Sequence, residues 1–427
     1  MPGAAAMSRR ELLRRGGAGL AVVAAPWVIP SSALGAEGET APSDRIGLGA
    51  IGLGGRGRDD LSHFLQQKDL RCLAVCDCWA SRRNETKAMV DAHYGGKDCA
   101  AHRFHEELLA RDDVDAVLIA TGDRWHTPMS VLAARAGKDV YCEKPSTLTI
   151  AEGRLLVETT RRYGTVWQCG TQRRSNEAYR FVVEVVRSGL IGKLQTVRTS
   201  FGPWGGNGVA TPEPVPEGFD YDRWLGQAPW APYSRVRVAL WRNNWDTSGG
   251  PIVDMGPHYL EFAQWAHDSE LSGPVEFEGE GVFPDDGFAN IPFVINVRAR
   301  YADGVRIVMD SGPKGTRLDG DQGWIHLSDE GAITAEPASI LKARGAPKFH
   351  WSYMAGHVRN FLDCVKTRKL PASHPEIAHR AHTMAHCANL CLRLGRRLRW
   401  SPETERFVDD DDANRMLSRT MRAPWGV

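Results

Sequence analysis

The stretch RIGLGAIGLGGRG, residues 45–57, decides the fold of the chain. Its first seven residues form an apolar run of the length expected for a buried parallel strand, and a helical pattern begins at its end. Between the two, Gly52, Gly54 and Gly57 have the spacing G-x-G-x-x-G. Such glycines permit a tight turn and let a pyrophosphate approach the free N–H groups of a helix N-terminus. The stretch therefore predicts the start of a dinucleotide-binding domain, with an ordinary glycine-rich turn as the alternative.

The residues that follow alternate between strand-like and helix-like patterns. Such alternation with short loops is typical of a parallel sheet covered by helices on both faces. We therefore predict an α/β fold whose N-terminal domain has a doubly wound parallel sheet of the Rossmann type. The predicted strands lie near residues 45–51, 71–76, 115–121, 139–143 and 166–169, and the predicted helices near residues 57–67, 80–93, 127–136 and 150–163.

Beyond about residue 172 the pattern changes to longer strand-like runs, with hairpin-turn chemistry at residues 302–304. This change predicts a second, α+β domain with a large, mostly antiparallel open sheet. Residues 374–394 have the length of a helix that packs back on the first domain, and the acidic residues 409–412 indicate a solvated extension. The other predicted elements are a helix at 177–188 and strands at 194–200, 293–300 and 305–309.

The net charge of the chain and its N-terminal residues limit which partners and which cellular location can be expected. The chain has 53 Lys and Arg against 52 Asp and Glu, so no positive excess is available for nucleic acid, and no nucleic-acid partner is expected. Four arginines precede an apolar run that ends at Ile29, which is too short for a stable membrane anchor. The sequence SRRELL, residues 8–13, resembles the twin-arginine signal, which predicts export to the bacterial periplasm or beyond by the twin-arginine machinery. An amphipathic helix or a sequence added for expression is the alternative.

These patterns divide the chain into four segments, and they predict that its thiols are free. Nine cysteines without a CxxC pair, several of them in apolar runs, indicate buried thiols rather than a disulfide framework. The predicted segments are a signal peptide at residues 1–36, a nucleotide-binding domain at 44–165, a substrate-binding and oligomerisation domain at 166–400 and a C-terminal extension at 401–427.

The second predicted strand ends at Asp77, about 20 residues after the glycine turn. A carboxylate at this place accepts hydrogen bonds from both ribose hydroxyls of NAD and repels the 2′-phosphate of NADP. Arg82 and Arg83 follow closely, so NADP stays open as the less favoured cofactor. The sequence therefore predicts NAD.

Two further predicted strands end in polar residues, at Thr121 to His126 and at Glu143-Lys144-Pro145. Open parallel sheets bind ligands at the carboxyl ends of their strands, which places Lys144 beside the nicotinamide. A lysine there can orient a reacting hydroxyl, stabilise the alkoxide and relay its proton. A surface ion pair with Glu143 is the alternative.

In the second domain, Asp254 and His258 lie four residues apart where a helical pattern begins. Residues at this spacing share a helix face, so His258 could act as a general base and Asp254 could orient it or the substrate. A helix-capping Asp and a core histidine are the alternatives. Indoles in Gly/Asn-rich stretches, at Trp204, Trp241 and Trp245, could stack on sugar rings or belong to the core. The histidines at positions 379, 382 and 386 are interpreted as structural, and no metal is expected.

Together these motifs resemble the Gfo/Idh/MocA family, named after glucose-fructose oxidoreductase and inositol dehydrogenase, over roughly residues 44–400. The resemblance rests on the nucleotide-binding first domain, on Glu143-Lys144-Pro145, on the stretch TQRR at 171–174 and on the Asp254 to His258 pair. Gly122 stands where the family commonly has Pro. The resemblance implies a homo-oligomer formed through the second-domain sheet.

The resemblance also implies roles for named residues. The catalytic set is Lys144, Asp254 and His258. The residues expected to bind the cofactor are Gly52, Gly54, Gly55, Arg56, Gly57, Asp77, Thr121, Trp125, His126, Glu143, Lys144 and Gln172. The residues expected to bind substrate are Lys144, Arg174, Trp241, Trp245, Asp254 and His258.

The function expected from this set is NAD-dependent oxidation of a secondary hydroxyl of a sugar or glycoside. Because free NAD is scarce outside the cytosol, an exported enzyme is expected to hold its cofactor tightly. The first alternative is a redox-neutral, NAD-dependent glycoside hydrolase that acts through a transient keto-sugar. The second alternative is an exported carbohydrate-binding protein that retains NAD without catalysis.

Overall fold

The computed structural model describes residue 41 and residues 44–344 and 353–427. The export signal expected within residues 1–36 lies outside these residues and stays a prediction. Within the described part of the chain, no helix is both long and apolar enough to cross a lipid bilayer.

The N-terminal domain is built on a parallel sheet, which has six strands in the described residues. Every neighbouring pair is parallel, and the strand order β3-β2-β1-β4-β5-β6 reverses direction beside β1, as in doubly wound folds. The first strand is buried at all six residues, which explains its unbroken apolar run. The strands are β1 (Ile46–Ile51), β2 (Leu70–Cys76), β3 (Ala100–His102), β4 (Ala116–Ile119), β5 (Asp139–Cys142) and β6 (Trp167–Cys169).

Helices follow the strands of this sheet in the order that the alternation predicts. The helix after β5 begins at a capped residue, because the Thr149 side chain accepts a hydrogen bond from the Glu152 N–H, and it ends at Gly164 in the left-handed conformation. The helices are α1 (Gly55–Leu65), α2 (Ala80–Tyr94), α3 (His105–Leu109), α4 (Asp123–Arg135) and α5 (Ile150–Tyr163).

The second domain has a larger sheet, with nine strands in the described residues and the order β13-β12-β11-β7-β10-β9-β8-β14-β15. Its pairs are antiparallel except for β7 with β10. One face packs on helices and the other is open, as the alternating burial of β9 shows. The strands are β7 (Leu194–Ser200), β8 (Glu276–Val282), β9 (Val294–Arg300), β10 (Arg306–Asp310), β11 (Gly315–Gly320), β12 (Trp324–Ser328), β13 (Ile333–Glu336), β14 (Leu398–Ser401) and β15 (Arg406–Phe407).

The long helix near the C-terminus joins the two domains. Its side chains belong to the core of the second sheet at Met384 and Leu390, and its His379 packs against Gly153 of α5 in the first domain. The helices of this half are α6 (Glu177–Arg187), α7 (Tyr221–Leu225), α8 (Arg235–Ala239), α9 (Gly250–Asp254), α10 (Gly256–His267), α11 (Ser339–Arg344), α12 (Tyr353–Thr367), α13 (Pro375–Leu394) and α14 (Asp411–Arg415).

The predicted fold class is confirmed, including the switch from a parallel to a mostly antiparallel sheet. The nine cysteines, all within the described residues, are free thiols, and eight of them are buried. Short elements escaped prediction, notably β3 and α3, because three to five residues carry too little periodicity to be recognised.

The acidic residues Asp409, Asp411 and Asp412 are exposed as predicted, but the prediction that they lie in an extension apart from the second domain is wrong. Phe407 and Ala413 belong to the buried core, and β15 pairs with β14. Asp410 caps α14, since its carboxylate accepts a hydrogen bond from the Ala413 N–H at 3.0 Å. The acidic run therefore begins a short helix packed on the second domain, where carboxylates near the N-terminus are favoured by the helix dipole.

Candidate active site

A cavity of about 360 Å³ opens at the carboxyl ends of the parallel strands. This is the edge at which the sequence predicted the site. The predicted residues that line the cavity are Gly52, Gly54, Gly55, Arg56, Asp77, Thr121, Trp125, His126, Glu143, Lys144 and Trp241. The structure therefore brings most of the proposed cofactor residues together in one place.

The glycine turn between β1 and α1 has the shape that a dinucleotide requires. Gly52 has a φ of +87°, and a Cβ there would lie 2.6 Å from the Thr121 nitrogen. A Cβ at Gly57 would overlap the carbonyl oxygen of Gly52. A Cβ at Gly54 would have only Arg82 Nη1 within 4 Å, at 3.7 Å, and one at Gly55 would have no described atom within that distance. Among the described residues no side chain caps the N–H groups at the start of α1. A pyrophosphate fits this cradle by charge and by room.

The carboxylate of Asp77 lines the cavity and is held in place by two backbone N–H groups. One carboxylate oxygen accepts the Leu53 N–H at 2.7 Å and the other accepts the Trp79 N–H at 2.8 Å. Each carboxylate oxygen keeps a further lone pair for a hydroxyl group. Arg82 lines the cavity with its guanidinium 4.8 Å from the Trp79 ring centre, whereas Arg83 donates to the Asp77 carbonyl.

The other predicted cofactor residues differ in how they face the cavity. Trp125 donates to the Arg223 carbonyl, and His126 is bonded through Nδ1 to the Pro145 carbonyl at 2.6 Å. Burial lowers the pKa of His126 to about 4, so its ring is neutral. Gln172 lies behind Glu143 and donates to its carboxylate at 2.6 Å, so Gln172 supports the cavity wall and is not among the lining residues.

Lys144 and Asp254, which are 110 residues apart in sequence, meet at the cavity. The Lys144 Nζ donates to the Asp254 carbonyl at 2.9 Å and to its carboxylate at 3.3 Å. Arg242 Nε donates to the same carboxylate at 3.1 Å. Burial raises the pKa of Asp254, but Lys144 and Arg242 outweigh it and hold that pKa below its ordinary value. Asp254 is therefore ionised and fixes the lysine in position.

His258 follows on the next helix. The single helix expected over Asp254 and His258 is interrupted, because α9 ends at Asp254 and α10 begins at Gly256, with Pro257 in the first turn, yet both side chains still interact with Lys144. Proline has no N–H to continue the first helix. Burial and then the charge of Lys144 hold the pKa of His258 well below its ordinary value, and its buried Nδ1 has no partner among the described residues. The imidazole is therefore neutral beside the lysine.

The predicted substrate residues are only partly brought together. Trp241 lines the cavity, and the Arg242 guanidinium lies 4.2 Å from its ring centre. Trp245 does not line the cavity, since its ring lies between Arg393 and Arg419 at 3.7 and 3.5 Å.

Arg174 also lies away from the cavity, in contrast to its expected role in substrate binding. Its guanidinium forms ion pairs with Glu261 and Glu270 and stacks on Trp265. Both carboxylates come from the region of α10, so this arginine has the role of joining α10 to the stretch before α6.

The three histidines of α13 have protein partners. His382 Nε2 accepts the Ser146 N–H at 3.0 Å, and His386 Nε2 is 3.0 Å from the Thr147 hydroxyl. His379 is bonded to Glu405 at 2.7 Å. The first two contacts hold the residues directly after Lys144 and Pro145, so α13 supports the segment that carries Lys144.

The cavity wall also contains a buried carboxyl group that was not predicted, that of Asp123. This residue opens α4, is 1% exposed and accepts a hydrogen bond from the Ser248 hydroxyl at 2.5 Å. Burial, and then the negative charge of Asp254, raise the pKa of Asp123 to about 7. The stretch Thr121 to His126 marked the place, but nothing in the sequence identified the second carboxylate near Asp254.

Replacing Asp123 by Asn should change how stability depends on pH. The folded protein holds a proton on Asp123 that the unfolded chain releases near pH 4, so the stabilisation is complete below about pH 4 and is lost as pH rises through 7. Asn keeps the acceptor for Ser248 and has no charge. We expect Asp123→Asn to match the wild type near pH 4 and to gain up to about 4 kcal/mol relative to it above pH 7. Free energies of unfolding from denaturant titrations check this, and identical pH dependence in both proteins would contradict it.

Comparison with known proteins identifies both domains. The model of the Gfo/Idh/MocA oxidoreductase family for the NAD-binding Rossmann fold matches residues 46–171, and the model for the C-terminal alpha/beta domain of this family matches residues 178–427. NAD is therefore the cofactor, consistent with the cradle at Gly54 and Gly55.

Individual relatives cover less of the chain. The myo-inositol 2-dehydrogenase of Thermotoga maritima is 26% identical over 224 residues, which are 52% of this chain and 55% of that protein. A glycosyl hydrolase family 109 protein of Saccharopolyspora erythraea is 37% identical over 206 residues, 44% of each chain. The chain thus spans about half the length of the curated relatives it matches.

Solved structures share the fold. The aldose-aldose oxidoreductase from Caulobacter crescentus, crystallised with glycerol, superimposes with a TM-score of 0.63 at 20% identity and covers 83% of this chain and 99% of its own. This likeness concerns the fold alone.

Proposed function

Since the chain belongs to the Gfo/Idh/MocA oxidoreductase family, we propose that it oxidises a secondary hydroxyl of a sugar or glycoside and holds its NAD tightly. The observation that carries this proposal is the contact of Asp254 with Lys144, because Lys144 lines the same cavity as the dinucleotide cradle. The sugar class is supported by the inositol and glycoside enzymes among the relatives.

The side chains divide the handling of the proton among them. Lys144 Nζ uses two of its three donors on Asp254 and keeps the third for the substrate oxygen, on which it stabilises negative charge. His258 is neutral, which suits an imidazole to accept the proton of the hydroxyl group, and it lies behind the lining residues with its Nδ1 buried. Bound NAD supplies the removal of a hydride from the carbon that carries this hydroxyl.

Tight retention of the cofactor is supported by residues 218–226, here called the cover segment. Its backbone pairs with the loop after β2, through Asp220 N–H to the Cys78 carbonyl and Ala80 N–H to the Gly218 carbonyl, both at 2.9 Å. The rings of Trp79 and Phe219 stack at 4.4 Å. Arg223 and Trp224 of the segment line the cavity, so it covers the side on which Asp77 lies.

The C-terminal residues brace the cover segment. The Arg422 side chain donates to the Gly226 carbonyl at 3.1 Å, and its backbone N–H donates to the Gln227 carbonyl at 3.0 Å. The ring of Trp425 packs against Trp125 at 5.6 Å. Release of the dinucleotide past the cover segment would require these contacts to break, which favours slow exchange.

Tight retention of the cofactor favours a second candidate function, redox-neutral cleavage of a glycoside, because the hydride that is removed returns to the sugar in the same cycle. Oxidation of a hydroxyl acidifies the neighbouring C–H, a base removes that proton, the aglycone leaves, water adds, and reduction of the ketone restores the sugar. His258 has the neutral imidazole that such a base needs. A relative of the glycosyl hydrolase family 109 supports the candidate.

The test is to purify the protein without added nucleotide, denature it and measure NAD(H) and NADP(H) in the supernatant. We expect NAD(H) at close to one equivalent. The loaded protein is then given free sugars and aryl glycosides. Ketone formed in proportion to NADH supports the oxidoreductase, whereas aglycone released without net NADH supports the hydrolase. A protein that purifies empty and binds NAD weakly contradicts cofactor retention and would also remove the support that retention lends to export.

The homo-oligomer and the export route remain proposals. The open face of the second sheet offers a surface for a second copy of the chain, with Arg298 and Arg300 of β9 exposed on it. Sedimentation measurements would show whether the chain associates.

A further inference from the structure

Two of the buried thiols lie next to each other. Cys72 is in β2, and Cys99 directly precedes β3, whose first residue, Ala100, pairs with Ala74. The two cysteines are 2% and 5% exposed and belong to the same apolar cluster, and their side chains are hydrogen bonded to each other. Neighbouring strands are about 4.8 Å apart, and a disulfide joins Cα atoms about 4.4–6.8 Å apart, so this pair can be bridged.

The hydrogen bond between the two thiols makes them unequal. It lowers the pKa of the Cys99 thiol, and together with burial it raises the pKa of the Cys72 thiol. Outside the pair, the Cys72 Sγ contacts the Ala74 carbonyl oxygen at 3.7 Å, and the Cys99 Sγ contacts that of Ala100 at 3.6 Å. Thiols are weak donors, so these contacts leave both sulfurs able to react. Cys99 is therefore the member that reacts first as a thiolate.

The pair lies at an edge of the parallel sheet. β3 is the edge strand and has only three residues, none of them buried. The loop at residues 95–98, directly before Cys99, is exposed at three of its four positions. Segments with few buried contacts open locally at a small cost in free energy. A small oxidant can therefore reach Cys99 without unfolding of the domain.

A second pair of cysteines shows that adjacency in the sheet is not sufficient. Cys142 and Cys169 are direct partners in the register of β5 and β6, and both are 0% exposed. Their sulfurs bond to other groups, the hydroxyls of Ser130 and Thr171 respectively. The Cys169 N–H donates to the Ser373 carbonyl oxygen at 3.0 Å, so the outer side of β6 is covered. This pair has neither the mutual hydrogen bond nor the open edge.

We propose that Cys72 and Cys99 form a modification site, at which a small disulfide such as glutathione disulfide oxidises the two thiols to an intramolecular disulfide. The Cys99 thiolate attacks the oxidant, whose S–S bond breaks, and one glutathione leaves and takes up the proton that Cys99 gave up. Cys72 then loses its proton and attacks the Cys99 sulfur of the mixed disulfide, which releases the second glutathione. The protein loses two hydrogen atoms, and glutathione disulfide is reduced to two thiols.

The disulfide would close a loop within the nucleotide-binding half of the molecule. The loop contains α2 and also Asp77, which lines the cavity at the end of β2. Arg103, directly after β3, lines the same cavity. Oxidation would therefore tie together the starts of two strands whose ends carry cavity residues. Oxidising compartments, the bacterial periplasm among them, would keep such a pair oxidised.

The test is a peptide map of the folded, reduced protein after incubation with glutathione disulfide. Remaining thiols are alkylated in denaturant, and the protein is digested with trypsin and analysed by mass spectrometry. We expect complete loss of free thiol at Cys72 and Cys99, with peptide 72–82 linked to peptide 98–103. Cys142 and Cys169 serve as the internal control, and we expect their oxidation to be at least about 10-fold slower.

Two variants assign the bond within peptide 72–82, which also contains Cys76 and Cys78. We expect Cys99→Ser to abolish the linkage and Cys78→Ser to leave it intact. Alkylation of both Cys72 and Cys99, or a glutathione adduct on Cys99 that never resolves, would overturn the proposal. Equal oxidation rates for the two pairs would also overturn it, because they would indicate global opening. If Cys99→Ser fails to fold, fragment ions of the wild-type linked peptide identify the bonded cysteine. Neither nucleotide nor sugar takes part, so the result is independent of the proposed function.

Discussion

Replacing Lys144 by Met should lower kcat by about 10²- to 10⁴-fold while the protein still retains NAD. Met keeps the length and apolar stem of the side chain, so the cavity wall should stay in place. The change removes the Lys144 Nζ group. This group donates to the Asp254 carbonyl at 2.9 Å and to the Asp254 carboxylate at 3.3 Å, and these two contacts position it at the cavity. Turnover of the substrate identified above and the content of bound NAD(H) are the two measurements.

Lys366→Met provides the control, because Lys366 pairs with Asp69 at the end of α12, outside the residues that line the cavity. We expect it to leave kcat unchanged. If Lys144→Met also leaves turnover unchanged, Lys144 has no role in catalysis. That result would support the alternative hypothesis of a carbohydrate-binding protein that retains NAD without catalysis.

Replacing Gly57 by Ala should remove NAD. The new Cβ overlaps the Gly52 carbonyl oxygen, so the turn between β1 and α1 must move. Overpacking of this kind costs about 1–3 kcal/mol, which corresponds to roughly 10- to 100-fold in affinity when the strain falls on the binding loop. The cavity loses the close approach of backbone N–H groups on which the pyrophosphate depends. We expect the variant to purify without bound nucleotide.

Gly356→Ala is a suitable comparison for that variant. Gly356 lies within α12, and nothing lies within 4 Å of a Cβ built there. Alanine is the better helix former, so retention of NAD(H) should be unaffected. Full occupancy by NAD(H) in Gly57→Ala would contradict the assignment of the turn as the cofactor cradle.

The parts of the fold that sequence predicts are those encoded locally. The helix at residues 150–163 is recovered with the same bounds, because it has an apolar stripe and is flanked directly by the capping Thr149 and by Gly164. The glycine turn and Asp77 are likewise separated by only a strand and a helix. Most proposed cofactor residues therefore converge on the cavity as expected.

The parts that sequence does not predict depend on partners far along the chain. From the sequence alone Arg174 is a reasonable substrate ligand. In the structure it pairs instead with Glu261 and Glu270, which lie 87 and 96 residues further along the chain. Asp123 belongs to no recognised motif, and its place in the site follows only from its burial and from its contact with Ser248. The acidic run near residue 410 resembles a solvated tail because only two isolated apolar residues beside it, Phe407 and Ala413, pack in the core.

The histidines of α13 bear on how such enzymes can be recombined. Ser146 and Thr147, which closely follow Lys144, are held by the side chains of His382 and His386, 236 and 239 positions later. A chimera that takes its nucleotide-binding half from one relative and its remainder from another would join at a natural boundary, yet it would mismatch this contact. Successful hybrids should therefore take residues 146–147 and residues 379–386 from the same parent protein, although the two segments lie far apart in the gene.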